Sequence, residues 1–189
     1  MKRYECLYAD CPWEYRAWSK KGAGRTAASH YDVMTTEELC ALPVADIAAP
    51  DAILLMWVTF PNLLDGLRVI KAWSFQYKSC GFVWIKTNRK KPGFHVGLGH
   101  WTRANAELCL IATRGHPRRI GKGVRQIVVS PVEAHSKKPD CVRDRIVELM
   151  GDVPRIELFA RERAPGWDAM GNEIDGKDIR DALKEVIDA

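Results

Sequence analysis

The tetrapeptide Asp10-Cys11-Pro12-Trp13 follows directly on an apolar run from Tyr4 to Ala9. It places a carboxylate acceptor, a proline-stiffened turn and a large aromatic face side by side at a strand exit. That set suits a planar substrate bearing an amino group, with Asp10 accepting from the amine N–H and Trp13 stacking on the ring. An ordinary turn with a packed tryptophan uses the same residues, so the tetrapeptide alone leaves both readings open. A second candidate is Lys138-Pro139-Asp140. Proline is favoured at the first position of a helix and aspartate in its first turn, which puts Lys138 at a helix mouth. There its ammonium and the free backbone N–H groups suit a carboxylate, although a solvated lysine satisfies the same pattern.

The elements that must position these residues alternate between apolar runs and amphipathic helices, the order of an α/β domain with a largely parallel sheet. Strands are expected at Tyr4 to Ala9, Ala52 to Val58, Tyr77 to Ile85, Glu107 to Ala112, Gln126 to Val129 and Arg155 to Ala160. Thr35 and Glu38 form a capping-box signal for a short helix through Leu42. Leu63, Leu67 and Ile70 recur at helical spacing, as do Val142, Ile146, Leu149 and Met150, and then Ile179, Leu183, Val186 and Ile187. In open sheets of this kind ligands sit beyond the carboxyl ends of the strands, where strand order reverses. Asp10 and Arg161 both stand at such ends. A long loop with Pro92, Gly93, Gly97 and Gly99 separates two of the strands, and loops of that length in a compact domain are usually functional.

The chain has 189 residues, which fits one domain spanning residues 1–189 with a sizeable core. Its 47% apolar and 28% charged residues exclude wholesale disorder. The longest apolar run, Ala52 to Val58, is seven residues, against about 20 for a membrane span. Six scattered cysteines without a C-x-x-C pair, and no leader-like start, favour reduced thiols and a cytoplasmic setting. His95, His100, Cys109 and His116 lack a recognisable ligand spacing, so no metal site is expected. Ten basic residues lie between Lys86 and Arg125 against one acid, Glu107, while the whole chain is only +5. A second basic stretch runs from Arg16 to Arg25. This asymmetry points to a polyanion, with Lys86, Asn88, Arg118 and Arg119 as candidate contacts.

In order, the blocks Tyr8-Ala9-Asp10-Cys11-Pro12-Trp13, His30-Tyr31-Asp32, Leu55-Met56-Trp57, Trp84-Ile85-Lys86-Thr87-Asn88, Gly99-His100-Trp101, Glu107-Leu108-Cys109, Lys137-Lys138-Pro139-Asp140, Ile156-Glu157-Leu158-Phe159-Ala160-Arg161 and Gly171-Asn172-Glu173 resemble the MT-A type N6-adenine methyltransferase family. That family has the hallmark Asp-Pro-Pro-Trp, is typified by the catalytic subunit of the eukaryotic mRNA adenosine methyltransferase, and has members in bacteria and phages. The resemblance covers nearly the whole chain and implies a short bacterial or phage-type member. It also implies a doubly wound, mostly parallel Rossmann-like sheet of seven or eight strands, with the catalytic motif ahead of the cofactor motifs. The implied reaction is methyl transfer from S-adenosylmethionine to the N6 amino group of adenine in a nucleic acid, with DNA favoured over RNA because the chain lacks an RNA-binding appendage.

By the same resemblance, Asp10, Cys11, Pro12 and Trp13 are catalytic, and Asp10, Lys138, Glu157, Arg161, Asn172 and Glu173 hold the cofactor. Tyr31, Trp101 and Glu107 join Lys86, Asn88, Arg118 and Arg119 around the acceptor. No metal is implied, and a homo- or hetero-oligomer is compatible with the family. Two departures stand out. Cys11 replaces the first proline, keeping the carbonyl but loosening the backbone. The chain also begins nine residues before Asp10, so an upstream segment that helps hold the cofactor's adenine in larger relatives has no counterpart. A non-catalytic nucleic-acid-binding or partner subunit on the same fold, and a cytosine N4 methyltransferase, would share these residues.

Overall fold

Tyr4 to Ala9 alternates side chains that are buried on both sides, the pattern of a strand covered by helices on each face. It is an interior strand of the sheet. The computed structural model describes residues 2–14, 33–99, 101–133 and 137–189. The elements in chain order are β1 (Tyr4–Ala9), α1 (Thr36–Cys40), α2 (Val44–Ile47), β2 (Ala48–Val58), α3 (Leu63–Ala72), β3 (Gln76–Thr87), β4 (Ala106–Arg114), β5 (Ile127–Pro131), α4 (Cys141–Met150), β6 (Arg155–Leu158), β7 (Asp168–Met170), α5 (Asn172–Asp175) and α6 (Ile179–Asp188). Thr35 caps α1 through the expected capping box, its hydroxyl accepting from the Glu38 N–H while the Glu38 carboxylate accepts from the Thr35 N–H.

The seven strands form one sheet in the order β5-β3-β4-β2-β1-β6-β7, an α/β arrangement of the Rossmann-like methyltransferase type. β4 pairs antiparallel with β2 and β3, and every other pairing is parallel. The reversal of β4 has a simple cause. Among the described residues between β3 and β4, 88–99 and 101–105, there is no helix, and a parallel return needs a crossover, usually helical. Strand order turns back at β1, with β2 on one side and β6 on the other, so Asp10 sits at the switch point.

Alternation along the strands sorts the core into two layers. Leu7, Ala9, Leu54, Met56 and Val58 pack with Leu39, Val69, Ile70 and Leu183 from α1, α3 and α6. Tyr8, Leu55, Trp57, Phe82 and Trp84 pack with Val142, Ile146 and Met150 of α4 on the opposite face.

Three expectations change in detail. The second strand starts at Ala48 rather than Ala52, with Pro50 and Asp51 exposed. The sixth ends at Leu158 because Phe159 turns to φ 60°, outside the strand region. The short elements α2, α5 and β7 have three or four residues each, too few for periodicity to register.

Close approach of α3 to the sheet requires Gly66, where a Cβ would stand 2.5 Å from Val58 Cγ1. Helix propensity favours Gly66→Ala by about 1 kcal/mol, but overpacking against a stiff β-branched side chain costs about 1–3 kcal/mol. Gly66→Ala is therefore expected to destabilise the wild-type chain and to stabilise a Val58→Ala background, as read by urea unfolding. The same sign in both backgrounds would show that this contact does not set the helix position.

Candidate active site

The carboxyl ends of β1, β2 and β6 open into a crevice of about 460 Å³. Asp10 and Trp13 line it from the turn after β1, Thr59 from the end of β2, and Phe159 and Arg161 from beyond β6. Glu107 enters from the first turn of the reversed strand β4, whose amino end is at this side of the sheet. Asn172, Glu173, Asp178 and Arg180 close the far wall. Arg180 also pairs with Glu38 at 2.9 Å, tying α6 to α1 across the rim.

The turn at Asp10 is held by several contacts. Trp13 N–H donates to the Cys11 carbonyl at 2.9 Å, and Met34 N–H donates to the Pro12 carbonyl at 2.8 Å. The Trp13 indole N–H reaches the Trp57 carbonyl at 3.1 Å. These bonds brace the motif where the proline of the family pattern is replaced by Cys11. One of the two lone pairs of the Cys11 carbonyl remains for a further donor. The Cys11 thiol is buried in the core, and burial pushes its pKa well up, which makes it inert.

Behind Asp10 lies a row of alternating charges. Lys138 donates to Asp10 Oδ2 at 2.8 Å and reaches Glu107 Oε2 at 3.3 Å, and Glu107 Oε1 in turn accepts from Lys86. Two tryptophans form the floor. Lys138 stands 5.7 Å above the Trp57 ring and Lys86 4.8 Å above Trp84. The rings meet edge to face at 6.4 Å, and Trp57 is anchored by its N–H to the Tyr8 hydroxyl at 2.5 Å. Burial raises the Asp10 pKa, opposed by the Lys138 ammonium and reinforced by Glu107. Burial also works to raise Glu107, but Lys138 and Lys86 hold it below the ordinary range. Burial works to lower Lys138, yet Asp10 and Glu107 keep it above the ordinary lysine value, so it stays charged.

Of the residues singled out in the sequence, Asp10, Cys11, Pro12, Trp13, Glu107, Lys138, Arg161, Asn172 and Glu173 come together around this crevice. Several have other duties than expected. Lys138 is no open helix-mouth cation: it is half-buried and paired with two carboxylates, three residues before α4 begins. Trp13 is 4% exposed, a wall of the crevice rather than a free platform. Glu157 accepts from Arg143 at both oxygens, at 2.7 and 3.1 Å, which turns it into a support under β6. Asn88 donates its amide to the Gly93 and Phe94 carbonyls and so braces its own loop.

Trp101 is fully exposed with φ 61° on the β3–β4 loop and does not line the crevice. Arg118 and Arg119 follow β4, whose far end, Arg114, pairs with Ala52 at the start of β2. They therefore lie at the opposite end of the sheet from Asp10. Tyr31 and the Arg16 to Arg25 stretch lie outside the described residues. Thr59, Phe159, Asp178 and Arg180 were not foreseen. Phe159 carries no sequence signal, since nothing in a phenylalanine announces a left-handed backbone.

Among the described residues no cluster of three or more His, Cys, Asp or Glu could hold a metal ion, and no helix is long and apolar enough to cross a membrane. Residues 4–173 match the MT-A70 family. The chain is 31% identical to the type II methyltransferase M.MunI of Mycoplasma sp, over 99% of this chain and 84% of that protein. It is 29% identical to the N(6)-adenosine-methyltransferase MT-A70-like protein of Drosophila melanogaster, and 27% identical to the human N(6)-adenosine-methyltransferase catalytic subunit METTL3. These alignments cover 92% and 95% of this chain but only 27% and 30% of those proteins. A crevice at the switch point with an acidic strand exit, and a match along nine-tenths of the sequence, lead to one assignment: the chain belongs to the MT-A70 family of methyltransferases.

Proposed function

We propose that the chain methylates the N6 amino group of adenine in a nucleic acid, DNA in preference to RNA, with S-adenosylmethionine as donor. The observation that carries this reading is the half-buried Asp10 carboxylate at the switch point, held by Lys138 through Oδ2 and opening on a crevice large enough for a nucleotide-sized ligand. The preference for DNA rests on the compact type II relative, whose length this chain nearly spans.

The crevice fits the cofactor by the chemistry of its donors. Asp10, Glu173 and Asp178 offer acceptors for hydroxyl and ammonium groups, and Arg161 offers a cation for a carboxylate. Asn172 adds an amide with both donor and acceptor. Arg161, Asn172, Glu173 and Asp10 are the residues that would hold it. When bound, it supplies an electrophilic methyl group on a sulfonium.

An adenine amine is a poor nucleophile because its lone pair is delocalised into the ring. Asp10 Oδ1 and the second lone pair of the Cys11 carbonyl can accept the two amine N–H groups, which makes the nitrogen more tetrahedral and frees its lone pair for attack. Asp10 also stabilises the positive charge that develops on nitrogen. The rest of the catalysis is positioning. The proton leaves the alkylated amine after charge has developed, so Asp10 need not be a strong base. The acceptor must be unstacked or single-stranded, which costs a few kcal/mol. Contact with the part of Trp13 that faces the crevice repays a fraction of that.

Asp10→Asn is expected to lower turnover on the order of 10²–10³-fold or more, with cofactor binding by calorimetry weakened but still supported by Arg161, Asn172 and Glu173. Incubation with labelled cofactor and parallel DNA and RNA pools, followed by nucleoside identification, should yield N6-methyladenine. Label in cytosine, or an Asp10→Asn variant of normal rate, would overturn the assignment. Trp13→Ala would leave a core cavity costing about 3–5 kcal/mol. Trp13→Phe is the sharper test, keeping an aromatic face while losing the N–H bond to Trp57, and a several-fold loss of turnover is expected.

The charge row predicts a pH signature. Activity needs Asp10 ionised, so the acid limb of kcat/KM follows its pKa. Glu107 raises that pKa and Lys138 lowers it. Glu107→Gln should therefore move the acid limb to lower pH, and Lys138→Met should move it to higher pH. Shifts of equal sign, or an unmoved limb in Glu107→Gln, would separate Asp10 from the titration.

A further inference from the structure

We infer that the free edge of β5 is a phosphate track leading from the crevice end of the sheet to a remote cationic loop, residues 118–125, that grips the nucleic-acid backbone several nucleotides from the target base. The inference rests on a nucleic-acid substrate. β5 is the last strand of the sheet on its side, so its outer edge is unpaired. At its carboxyl end, Pro131 pairs with Thr87, and Arg89, Lys90 and Lys91 follow immediately, all exposed. At its amino end stand Arg118, Arg119, Lys122 and Arg125, also exposed. Among the described residues none of these four side chains has an ion-pair partner.

The remote loop is built to hold charge outward. Ile120 and Gly121 N–H both donate to the Leu149 carbonyl at 2.8 and 3.0 Å, which fastens the loop to the end of α4. A tethered loop loses little freedom on binding. Arg145 of α4 donates to the Arg125 and Ile127 carbonyls, both at 2.8 Å. Those bonds remove two oxygens that would repel a phosphate and set another cation beneath the track. The direction of the track follows from charge as well. The outer surface of α4 carries exposed Asp144 and Glu148, so an anionic strand is steered away from the helix and along β5.

A second copy of the chain is a poor occupant. A two-fold contact would bring the cations at the ends of β5 toward their own copies, whereas a phosphate backbone neutralises them with release of counterions, passing the exposed but uncharged Ile127 and Val129 between them. The span sets a footprint. Glu107, in the crevice, and Arg114 are seven residues apart along β4, about 24 Å at roughly 3.4 Å per residue. At about 3.4 Å per base pair that is about seven base pairs.

The test compares oligonucleotides carrying the target adenine with four or with fourteen flanking nucleotides on each side, as DNA and as RNA, by anisotropy across a salt series. The wild type should bind the long oligonucleotide more tightly. A triple variant, Arg118→Glu, Arg119→Glu and Lys122→Glu, should lose that advantage, and its log–log salt slope on long duplex should fall by about 2–3, near 0.9 per contact. Its melting temperature, cofactor binding and turnover on the short oligonucleotide should match wild type. Unchanged long-oligonucleotide affinity and slope in the variant would overturn the track. So would a wild-type dimer, seen by sedimentation without nucleic acid, that the variant abolishes. Failure of the methylation reading is a separate result: wild type labelling neither polymer, whatever its length-dependent binding.

Discussion

A lysine ammonium placed between two half-buried carboxylates is the constraint on which the functional end of this protein depends. Asp10 comes from an interior strand, Glu107 from the one reversed strand, and Lys138 from the segment leading into α4. Three stretches of chain far apart in sequence meet only when the sheet is fully assembled. A charge removed from water costs several kcal/mol unless paired, and loss of one partner strands the others. Alternation solves the problem: each of Asp10, Lys138, Glu107 and Lys86 has a neighbour of opposite sign, and two tryptophan faces beneath them exclude water while favouring cations. The same device fixes the chemistry, because Lys138 occupies one oxygen of Asp10 and leaves the other for a substrate donor.

The reversal of β4 is what makes this arrangement possible. A parallel β4 would carry Glu107 to the opposite end of the sheet, more than 20 Å from Asp10 at about 3.4 Å per residue, and Lys138 would lack its second carboxylate. The reversal also sends the chain out of β4 at the far end, which is how the basic residues after Arg114 come to lie there. One contiguous positive segment of sequence is thereby split into two clusters at opposite ends of β5. Arg114 itself is withdrawn from the surface, donating to the Ala45 carbonyl at 2.6 Å.

Much of this was legible in the sequence, and the limits have physical causes. Ala52 to Val58 could only be a doubly covered strand, and the capping pair Thr35 and Glu38 announced α1 because caps are local chemistry. Asp10 stood out since an acidic residue followed by proline and tryptophan at a strand exit is uncommon. Residues whose role depends on pairing could not be placed from the sequence. Lys138 read as an open helix-mouth cation because the sequence shows the helix start but not the two carboxylates above it. Glu157 likewise looked available until Arg143, fourteen positions earlier, was seen to take both oxygens. Arg118 and Arg119 were grouped with Lys86 by sequence proximity, and only strand direction reveals that they lie a sheet-length apart.

Cys11 shows how a motif residue can change while its function is kept. A proline before Pro12 would stiffen the backbone covalently. Here rigidity comes from outside: Met34 clamps the Pro12 carbonyl, the Trp13 N–H closes the turn onto the Cys11 carbonyl, and the Trp13 indole is tied to β2. The Cys11 side chain packs into the core beside these groups, so the position is held by tertiary contacts. What the chemistry needs from residue 11 is a carbonyl oxygen with a lone pair aimed beyond its own turn, and that requirement is met by any residue whose neighbours hold its peptide plane. The cost is that the turn is only as stable as α1 and the segment before it, because Met34 lies next to Thr35, the cap of that helix. Loss of the cap would loosen the acceptor carbonyl together with the crevice wall that Met34 and Glu38 line.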